Sequence, residues 1–451
     1  MPLTRRSFLG LAAAAPGLAF WTPASADAAL QGVGTGPIRI DGQRLRADIE
    51  ALSVHGRRPG GSFADGVSRV GYSDADIAGR RLVSSCMRDA GLRVRIDAAG
   101  NIVGRRDGRR ADAPPILFGS HIDSVPEGGN FDGDLGTLAA IEAVRTLERR
   151  GMATAHPLEV IVWVNEEGVA FGNGLCGSRA AAGELVSGEL SQVWNGMTKA
   201  EAIRRIGGDP DRIGDARRAP GSIRAYLELH IEQGGTLDRG GIPIGVVEGI
   251  VAIDRYDAVV RGVPNHAGTT PMPDRHDALV AAAQLILAVR EIATAEPGRQ
   301  VGTVGQLNVT PNAPNVVPGV VRHTIELRDL SSARIAAMAD RIRARASEIA
   351  ARTGTTIEIS QSSHHEAALA DPAVQTVIER AAADLGLRSA RLPSGAGHDA
   401  QMAARLGPMG LIFVPSVAGV SHSPKELTHW EDCAHGANVL LQAVLALDRE
   451  R

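Results

Sequence analysis

Residues 115–147 read PILFGSHIDSVPEGGNFDGDLGTLAAIEAVRTL and carry the strongest indication of the fold. The stretch begins with a short apolar run, as in a buried strand, and polar residues follow it directly. From 136 to 149 apolar residues recur at helical spacing. A buried strand joined to a helix by a Gly-rich polar turn is typical of an α/β domain, in which such turns lie at the carboxyl ends of the strands.

The same pattern continues on both sides of this stretch and predicts an α/β domain with a mostly parallel sheet. The helices and strands that support this prediction are a helix at about 79–91, strands at 92–96 and 158–164, a helix at 372–385, a strand at 411–414 and a helix at 435–448.

A different pattern occupies residues 245–360 and predicts a second, smaller domain inserted in the first. The order β-α-β-β-α-β matches the ferredoxin-like arrangement. We therefore expect residues 27–244 and 361–451 to form the large domain around this insertion. The predicted elements of the insertion are strands at 253–260, 303–309, 320–328 and 356–359 and helices at 277–292 and 333–351.

The composition excludes some classes of function. The chain has 451 residues, 44% of them hydrophobic, and a formal net charge of -3, whereas a nucleic-acid surface needs an excess of basic residues. With 7 Phe, 4 Trp and 3 Tyr, platforms for stacking bases are not expected either. Cys86, Cys176 and Cys433 are too few and too widely spaced for a disulfide framework, and they form no Cys-x-x-Cys metal motif.

The first 26 residues have the features of an export signal. Thr4-Arg5-Arg6-Ser7-Phe8-Leu9 is followed by a modest apolar run to Trp21 and by the small residues Ala24-Ser25-Ala26. The arginine pair resembles the twin-arginine type, so we expect the mature protein in the periplasm or outside the cell. The alternative is a cytosolic protein with an apolar, amphipathic start. Elsewhere no apolar stretch is long enough to cross a bilayer.

His121 and Asp132 are the first candidate metal ligands. His121 closely follows the strand-like run at 115–119, and Asp123, two residues on, faces the same way in an extended chain. Asp123 can therefore accept a hydrogen bond from the second ring nitrogen of a metal-bound His121. Asp132 precedes the helix that starts near 136. The alternative is a polar loop that only caps this helix.

Glu166 and Glu167 follow the apolar run Val160–Val164. Two carboxylates at the end of a buried strand cost free energy unless they are paired or bind something. They point in opposite directions in an extended chain, so one can hold a metal while the other acts as a general base. Adjacent glutamates are also common on protein surfaces.

His230 and His422 complete the inventory. His230 lies in the strand-like run 226–234, which ends at a pair of glycines, and His422 lies in a loop after the strand at 411–414. A single histidine in such a place is more often structural than a ligand. Together, however, the four loops offer three histidines, two carboxylates and a spare glutamate. These residues would supply the ligands for two divalent ions about 3.5–4 Å apart, bridged by one carboxylate. Nitrogen and oxygen donors without thiolate suit Zn²⁺, and Mn²⁺ or Co²⁺ also fit.

These four segments resemble the M20-type metal-dependent amidohydrolases, in particular the branch of N-carbamoyl-L-amino-acid hydrolases, β-ureidopropionases and allantoate amidohydrolases. The resemblance runs from about Arg46 to the end of the chain. It implies that Asp132 bridges two ions and that Glu166 is the general base, with Asp123 supporting His121. The implied ligand sets are His121, Asp132 and His230 for one ion and Asp132, Glu167 and His422 for the other.

The small domain carries further matches to the family. Residues 265–272 resemble the lid and dimerisation segment, which implies a homodimer in which His266 reaches the partner's active site. The resemblance also implies that Asn315 and Arg328 bind the substrate carboxylate. Gln233 and His398 match further substrate contacts. For Arg328 alone, an exposed charge on a strand is the simpler interpretation.

The resemblance implies hydrolysis of the carbamoyl C–N bond of an N-carbamoyl-L-amino acid or a related small ureido acid. Allantoate amidohydrolase is the alternative within the branch. An aminoacylase or dipeptidase is a further alternative, although His230 and Gln233 argue against it. A binding protein that has kept the fold without metal is the alternative from another functional class.

Overall fold

The computed structural model describes residues 36–186 and 188–449. The predicted export signal at 1–26 lies outside these residues. The strands are β1 (Arg93–Ile96), β2 (Ile102–Arg106), β3 (Ile116–His121), β4 (Leu158–Trp163), β5 (Val193–Trp194), β6 (Met197–Thr198), β7 (Ala225–Ile231), β8 (Ile244–Ile250), β9 (Ala252–Arg261), β10 (Asn265–His266), β11 (Val301–Thr303), β12 (Leu307–Thr310), β13 (Val316–Val317), β14 (Val320–Asp329), β15 (Thr356–His365), β16 (Ala368–Leu369), β17 (Ser389–Ser394) and β18 (Met409–Val414).

Five of the described helices have 16 residues or more, and several helices begin after a polar residue that caps the first turn. Asp277 and Asp371, for example, accept hydrogen bonds from backbone N–H groups of the first turns that follow them. The helices are α1 (Gly42–Leu52), α2 (Asp74–Asp89), α3 (Asp134–Arg149), α4 (Cys176–Ala182), α5 (Lys199–Arg205), α6 (Thr236–Gly240), α7 (Ala278–Thr294), α8 (Ser332–Thr353), α9 (Pro372–Asp384), α10 (Ala400–Ala403) and α11 (Trp430–Arg449).

The large sheet is mixed rather than mostly parallel. Its order is β1-β2-β4-β3-β7-β18-β8-β16, and β17 pairs with β8. The central strands β4, β3, β7 and β18 run parallel to one another, whereas β1, β2, β8 and β16 join their neighbours along this order in antiparallel pairs. The parallel centre brings the carboxyl ends of four strands to one edge, which is where α/β folds place their sites.

The core of this part lies between the sheet and its helices. β3, β4, β7 and β18 are buried along their whole lengths, as expected for parallel strands covered on both faces. α3 and α11 pack against these strands, and nearly all of α3 is buried. Cys86, Cys176 and Cys433 are buried free thiols.

A second sheet has the order β11-β14-β9-β15, with β12 also paired to β14, and every pair is antiparallel. α7 and α8 share one hydrophobic core with it. The predicted boundaries at 244/245 and 360/361 fall within β8 and β15. β8 belongs to the large sheet, because it pairs with β18, and β15 continues to His365.

Within the described ranges, no helix combines the length and the apolar character that crossing a membrane requires.

Candidate metal centre and active site

Three of the four central parallel strands deliver the candidate residues to one edge of the large sheet. His121 is the last residue of β3, the Glu166–Glu167 pair follows β4, and His230 lies near the end of β7. His422 lies in the loop after β18. Asn165, Gln233 and His422, which flank or belong to the cluster, have positive φ angles of 51°, 55° and 52°. Such backbone is costly for these residues and is typical of functional sites.

Asp132 lies at the centre of the cluster and presents one carboxylate oxygen to each side. Its Oδ1 is 3.1 Å from His230 Nε2 and 3.5 Å from His121 Nε2. Its Oδ2 is 3.5 Å from His422 Nε2, which in turn lies 3.3 Å from Glu167 Oε2. The two oxygens of one carboxylate thus face two different sets of ligands, as a bridging ligand requires.

The two sets fit divalent cations. In each set one donor atom per residue lies within 4.8 Å of the others, and the sets are those named from the sequence, with Asp132 in both. Glu167 Oε1 and Gln233 Oε1 are buried without a hydrogen-bond partner. Buried carboxylates that lack partners are expected where a cation supplies the missing interaction. The donor set of imidazole and carboxylate is one that Zn²⁺ accepts.

The electrostatics of the cluster reflect the same crowding of carboxylates. Burial, and then the negative charge of Asp132, raise the pKa of Glu167 to about 7. The hydrogen bond to Asp132 raises the pKa of His422 to about 9. Burial acts to raise the pKa of Asp132, but the surrounding imidazoles outweigh it and hold this pKa well below its usual range.

Glu166 lies beside the candidate metal ligands, with Oε2 3.8 Å from His121 Nε2 and its side chain only 11% exposed. Burial, followed by the charges of Asp399 and Glu167, raises the pKa of Glu166 well above its usual value. A buried carboxyl group with a raised pKa is a candidate for acid–base catalysis.

Asp123 acts differently from the sequence expectation. His121 Nδ1 lies 2.9 Å from the backbone carbonyl oxygen of Asp123, and the carboxylate Oδ1 is farther away, at 3.9 Å. The carboxylate instead accepts hydrogen bonds from the backbone N–H groups of Glu166 and Glu167, at 3.1 and 3.3 Å. A carbonyl oxygen also orients a metal-bound imidazole, so His121 retains its support.

Gln233 and His398 lie next to the ligands. Gln233 Nε2 donates to Asp132 Oδ2 at 2.6 Å. The His398 ring is buried 4.4 Å from the His230 ring, between centroids, and its Nε2 is 2.9 Å from Ser394 Oγ. Burial and the charge of His230 lower the pKa of His398 well below its usual value, so this ring is neutral at pH 7.

The remaining candidates belong to the second sheet and its loops. Arg328 Nη1 donates to the carbonyl oxygen of Gly395 at 2.5 Å, in the loop that leads to His398. Asn315 and His266 are exposed and lie side by side, since the Asn315 carbonyl accepts the N–H of Ala267. Among the described contacts, none joins His266 or Asn315 to the metal ligands.

The sequence analysis missed two buried carboxylates beside the ligands. Glu228 accepts hydrogen bonds from Ser120 Oγ at 2.6 Å and from the N–H of Ala400 at 3.0 Å, and so joins β3, β7 and α10. Its place in the apolar run of β7 was a usable signal, because a buried carboxylate needs partners. Glu426, in the loop after His422, gave no such signal.

A cavity of about 1000 Å³ lies next to the Glu166 loop. Residues 172–175 form one wall, and the N–H of Leu175 donates to the Glu166 carbonyl at 2.8 Å. The opposite wall comes from the second sheet, at the end of β15. The cavity lies between elements of the two sheets, and its lining does not include the proposed ligands.

Residues 117–446 match the peptidase family M20/M25/M40. An N-carbamoyl-L-amino acid amidohydrolase of Geobacillus stearothermophilus is 42% identical over 409 residues, which are 90% of this chain and 99% of that protein. A ureidoglycolate hydrolase of Arabidopsis thaliana is 38% identical over 91% of this chain and 88% of its own length. The crystal structure of a hydantoinase/carbamoylase family amidase from Burkholderia multivorans superposes with a TM-score of 0.84 at 37% identity, covering 92% of this chain and 99% of that one.

Proposed function

Because the chain belongs to the peptidase M20/M25/M40 family, we propose that it hydrolyses the carbamoyl C–N bond of N-carbamoyl-L-amino acids or related ureido acids. The products are the amino acid, carbon dioxide and ammonia. The observation that carries the proposal is the placement of Asp132, whose two carboxylate oxygens face His121 and His230 on one side and His422 on the other. The relatives named for N-carbamoyl-L-amino acids favour this substrate class over allantoate.

Two divalent ions per subunit belong to the proposal. His121, Asp132 and His230 would hold one, and Asp132, Glu167 and His422 would hold the other. Zn²⁺ suits these donors best, and Mn²⁺ or Co²⁺ also match them. When bound, such ions lower the pKa of a water molecule and polarise a carbonyl group.

Glu166 serves as the general base in this proposal. It takes a proton from the attacking water and later gives it to the leaving nitrogen, so that the C–N bond breaks with release of a neutral amine. The buried position of Glu166 next to His121 supports this role. Asp123 fixes the backbone of Glu166 and thereby the direction of its side chain.

Substrate recognition is assigned to residues on both sheets. Arg328 and Asn315 would bind the substrate carboxylate, for which a planar guanidinium is well suited. Gln233 and His398 would contact the ureido group, since both lie beside the metal ligands. The hydrogen bond from Arg328 to Gly395 supports this assignment, because it brings the guanidinium to the loop of His398.

His266 completes the proposed site from a second copy of the chain. Its Nδ1 accepts the N–H groups of Gly268 and Thr269, at 3.0 and 3.1 Å, so the hydrogen of the neutral ring resides on Nε2. In a homodimer, the partner subunit's His266 would donate this hydrogen to the carbonyl oxygen as negative charge develops there. The inserted ferredoxin-like domain would then act as a lid and as the dimerisation surface.

The export signal predicted at 1–26 would place the proposed reaction in the periplasm or outside the cell. Expression of the full chain and of a variant with both Arg5 and Arg6 replaced by Lys tests this. We expect the wild type in the periplasmic fraction and the double variant in the cytoplasm. Equal distribution of the two proteins would contradict twin-arginine export.

A panel of substrates tests the activity. Mature protein loaded with Zn²⁺ or Mn²⁺ is assayed with N-carbamoyl-L-amino acids, ureidoglycolate, allantoate and N-acyl amino acids, and ammonia and amino acid are measured. We expect the highest kcat/KM with an N-carbamoyl-L-amino acid. Activity confined to N-acyl compounds would refute the proposal, and a preference for allantoate would replace the substrate within the same mechanism.

A further inference from the structure

Glu426 is a buried carboxylate that joins the two loops carrying Asp132 and His422. Its Oε1 accepts hydrogen bonds from the backbone N–H groups of Phe131 and Asp132, at 2.9 and 3.1 Å. Its Oε2 accepts the hydroxyl hydrogen of Ser421, with the two oxygens 2.7 Å apart. One side chain thus holds both loops at residues that are proposed ligands or their neighbours.

Ser421 extends this connection to the Asp132 side chain. The Ser421 hydroxyl oxygen lies 3.0 Å from Asp132 Oδ2, the carboxylate oxygen that faces His422. A hydroxyl group has a single hydrogen, so it donates to one of the two carboxylates at a time. The Glu426 carboxylate therefore influences both the position of Asp132 and the hydrogen bonding of its Oδ2.

The absence of a side chain at Gly129 leaves space for the Glu426 carboxylate. A Cβ atom added at Gly129 would lie 2.0 Å from Glu426 Oε1, so a larger residue at position 129 would collide with it. Glu426 itself is only 4% exposed. Burying a carboxylate is costly unless it is well hydrogen-bonded, and this one has three donors.

His422 is the proposed ligand with the least support of its own. Its side chain is 49% exposed, and it lies in a loop at a positive φ. By contrast, His121 and His230 are buried in strands and hydrogen-bonded to backbone carbonyls. The distance from His422 to Asp132 thus depends on how the loop after β18 is held.

We propose that Glu426 is a positioning residue of the metal centre, which holds Asp132 and His422 at the separation that the Asp132–Glu167–His422 site needs. The inference rests on the proposed function, since it assumes that this site binds a cation. Partners that orient metal ligands are typically worth about 10–100-fold in metal affinity. The affinity of the site formed by His121, Asp132 and His230 should change less, because its imidazoles are held independently.

The test compares Zn²⁺ affinities of wild type, Glu426→Ala and Glu426→Gln by competition with a chromophoric chelator, with bound metal counted by mass spectrometry. We expect Glu426→Ala to weaken Zn²⁺ binding at the Asp132–Glu167–His422 site about 10–100-fold. Glu426→Gln should recover most of this loss, because its amide oxygen still accepts both N–H groups. Absorption spectra of the Co²⁺-loaded proteins report the geometry of the Asp132–Glu167–His422 site independently of turnover.

Asp448→Ala is the matched control. Asp448 accepts the N–H groups of Ala155 and His156, at 2.9 and 2.7 Å, so it also fixes two consecutive backbone groups by a long-range contact, but it is remote in sequence from the ligand loops. We expect this variant to lower the unfolding temperature and to leave both Zn²⁺ affinities unchanged.

The possible outcomes distinguish failure of the inference from failure of the proposed function. Equal Zn²⁺ affinities in wild type and Glu426→Ala would overturn the inference and leave the proposed function standing. Equal losses in Glu426→Ala and Asp448→Ala would also overturn it, because they would show an effect of stability alone. Wild-type protein that binds no divalent cation would overturn both. If Glu426→Ala does not fold, Ser421→Ala tests the connection between Glu426 and Asp132 Oδ2, and wild-type Zn²⁺ affinity in this variant would overturn the inference.

Discussion

The Asp123 carboxylate holds the backbone of Glu166, with Oδ1 3.1 Å from its amide nitrogen. This contact joins the loop after β3 to the loop after β4. The same carboxylate lies 3.9 Å from the imidazole of His121, which donates its Nδ1 hydrogen bond to the backbone carbonyl of Asp123 instead. Asp123 therefore positions the proposed base Glu166 through its side chain and the proposed metal ligand His121 through its main chain.

Replacing Asp123 with Ala should separate these two effects. Because the backbone carbonyl remains, we expect bound Zn²⁺ to stay near the wild-type level. Loss of the carboxylate releases the N–H groups of Glu166 and Glu167, so kcat should fall about 10–100-fold, a typical effect of a supporting partner. Metal content and steady-state kinetics measure the two quantities. Asp371→Ala, which removes a similar N–H acceptor from the start of α9, serves as control. A Zn²⁺ loss as large as the kcat loss would contradict this division of roles.

Replacing Glu166 with Gln should abolish most of the activity without loss of metal. The amide has nearly the same size as the carboxyl group but cannot accept the proton of water. General-base catalysis typically contributes about 10²–10⁴-fold, so kcat should fall by that factor. Retention of more than about a tenth of wild-type kcat would show that another group is the base. Glu167→Gln should behave differently, since we expect it to reduce metal content as well.

Replacing Gly133 with Ala should disturb His121 directly. Gly133 has a φ of 68°, and an added Cβ would lie 2.4 Å from Cε1 of the His121 ring. Gly151 has a similar φ of 61° with open space around it, so Gly151→Ala isolates the backbone strain. A positive φ should lower the unfolding free energy by at least about 1–2 kcal/mol in both variants. Gly133→Ala should lose more stability and also bound Zn²⁺, as measured by urea unfolding and metal analysis. Identical behaviour of the two variants would contradict the contact with His121.

The sequence predicted the elements of the fold better than their pairing. α3 was expected from 136 and begins at Asp134, because helical periodicity is a local property. The direction in which strands pair produces no comparable local pattern in the sequence, so the antiparallel strands on either side of the parallel centre were not predicted. The strand expected at 303–309 is broken because three residues, 304–306, lie opposite the two residues 324–325 of β14, and the ladder bulges there.

The candidate site was predictable where residues follow strands and unpredictable where they meet through loops. His121 and Glu166–Glu167 follow β3 and β4, and parallel pairing of these strands brings their ends together. Glu426 joins the cluster through a loop that returns to the backbone of Asp132, 294 residues away along the chain. A contact of that kind depends on tertiary packing, which single-residue patterns do not report.

Asp76 should make stability depend on pH. Burial is the main cause that raises its pKa to about 6 in the folded protein. Between the unfolded pKa near 3.8 and this value, the folded state holds a proton that the unfolded state has released, so this contribution to stability is lost as pH rises. Asp76→Asn keeps an acceptor for the N–H of Tyr72 without the charge. We expect Asp76→Asn to be more stabilising at pH 7 than at pH 4. The change in unfolding free energy caused by the substitution should differ between the two pH values by on the order of 1–3 kcal/mol. Urea unfolding at both values measures this, and an effect independent of pH would contradict the shifted pKa.

Removing the metal should cost both activity and stability. The site concentrates the proposed ligands Asp132 and Glu167 and the proposed base Glu166 in a buried space, and without cations their mutual repulsion opposes folding. A cation that binds only the folded state stabilises it by about 2.7 kcal/mol when its free concentration is 100 times the dissociation constant. We therefore expect dialysis against a chelator to lower Tm and abolish turnover, and Zn²⁺ or Mn²⁺, but not Mg²⁺, to restore both, because imidazole ligands suit the transition metals. Calorimetry and the ammonia assay measure the two effects on the same samples. Full activity in chelated protein, verified by metal analysis to contain no transition metal, would exclude a metal-dependent reaction.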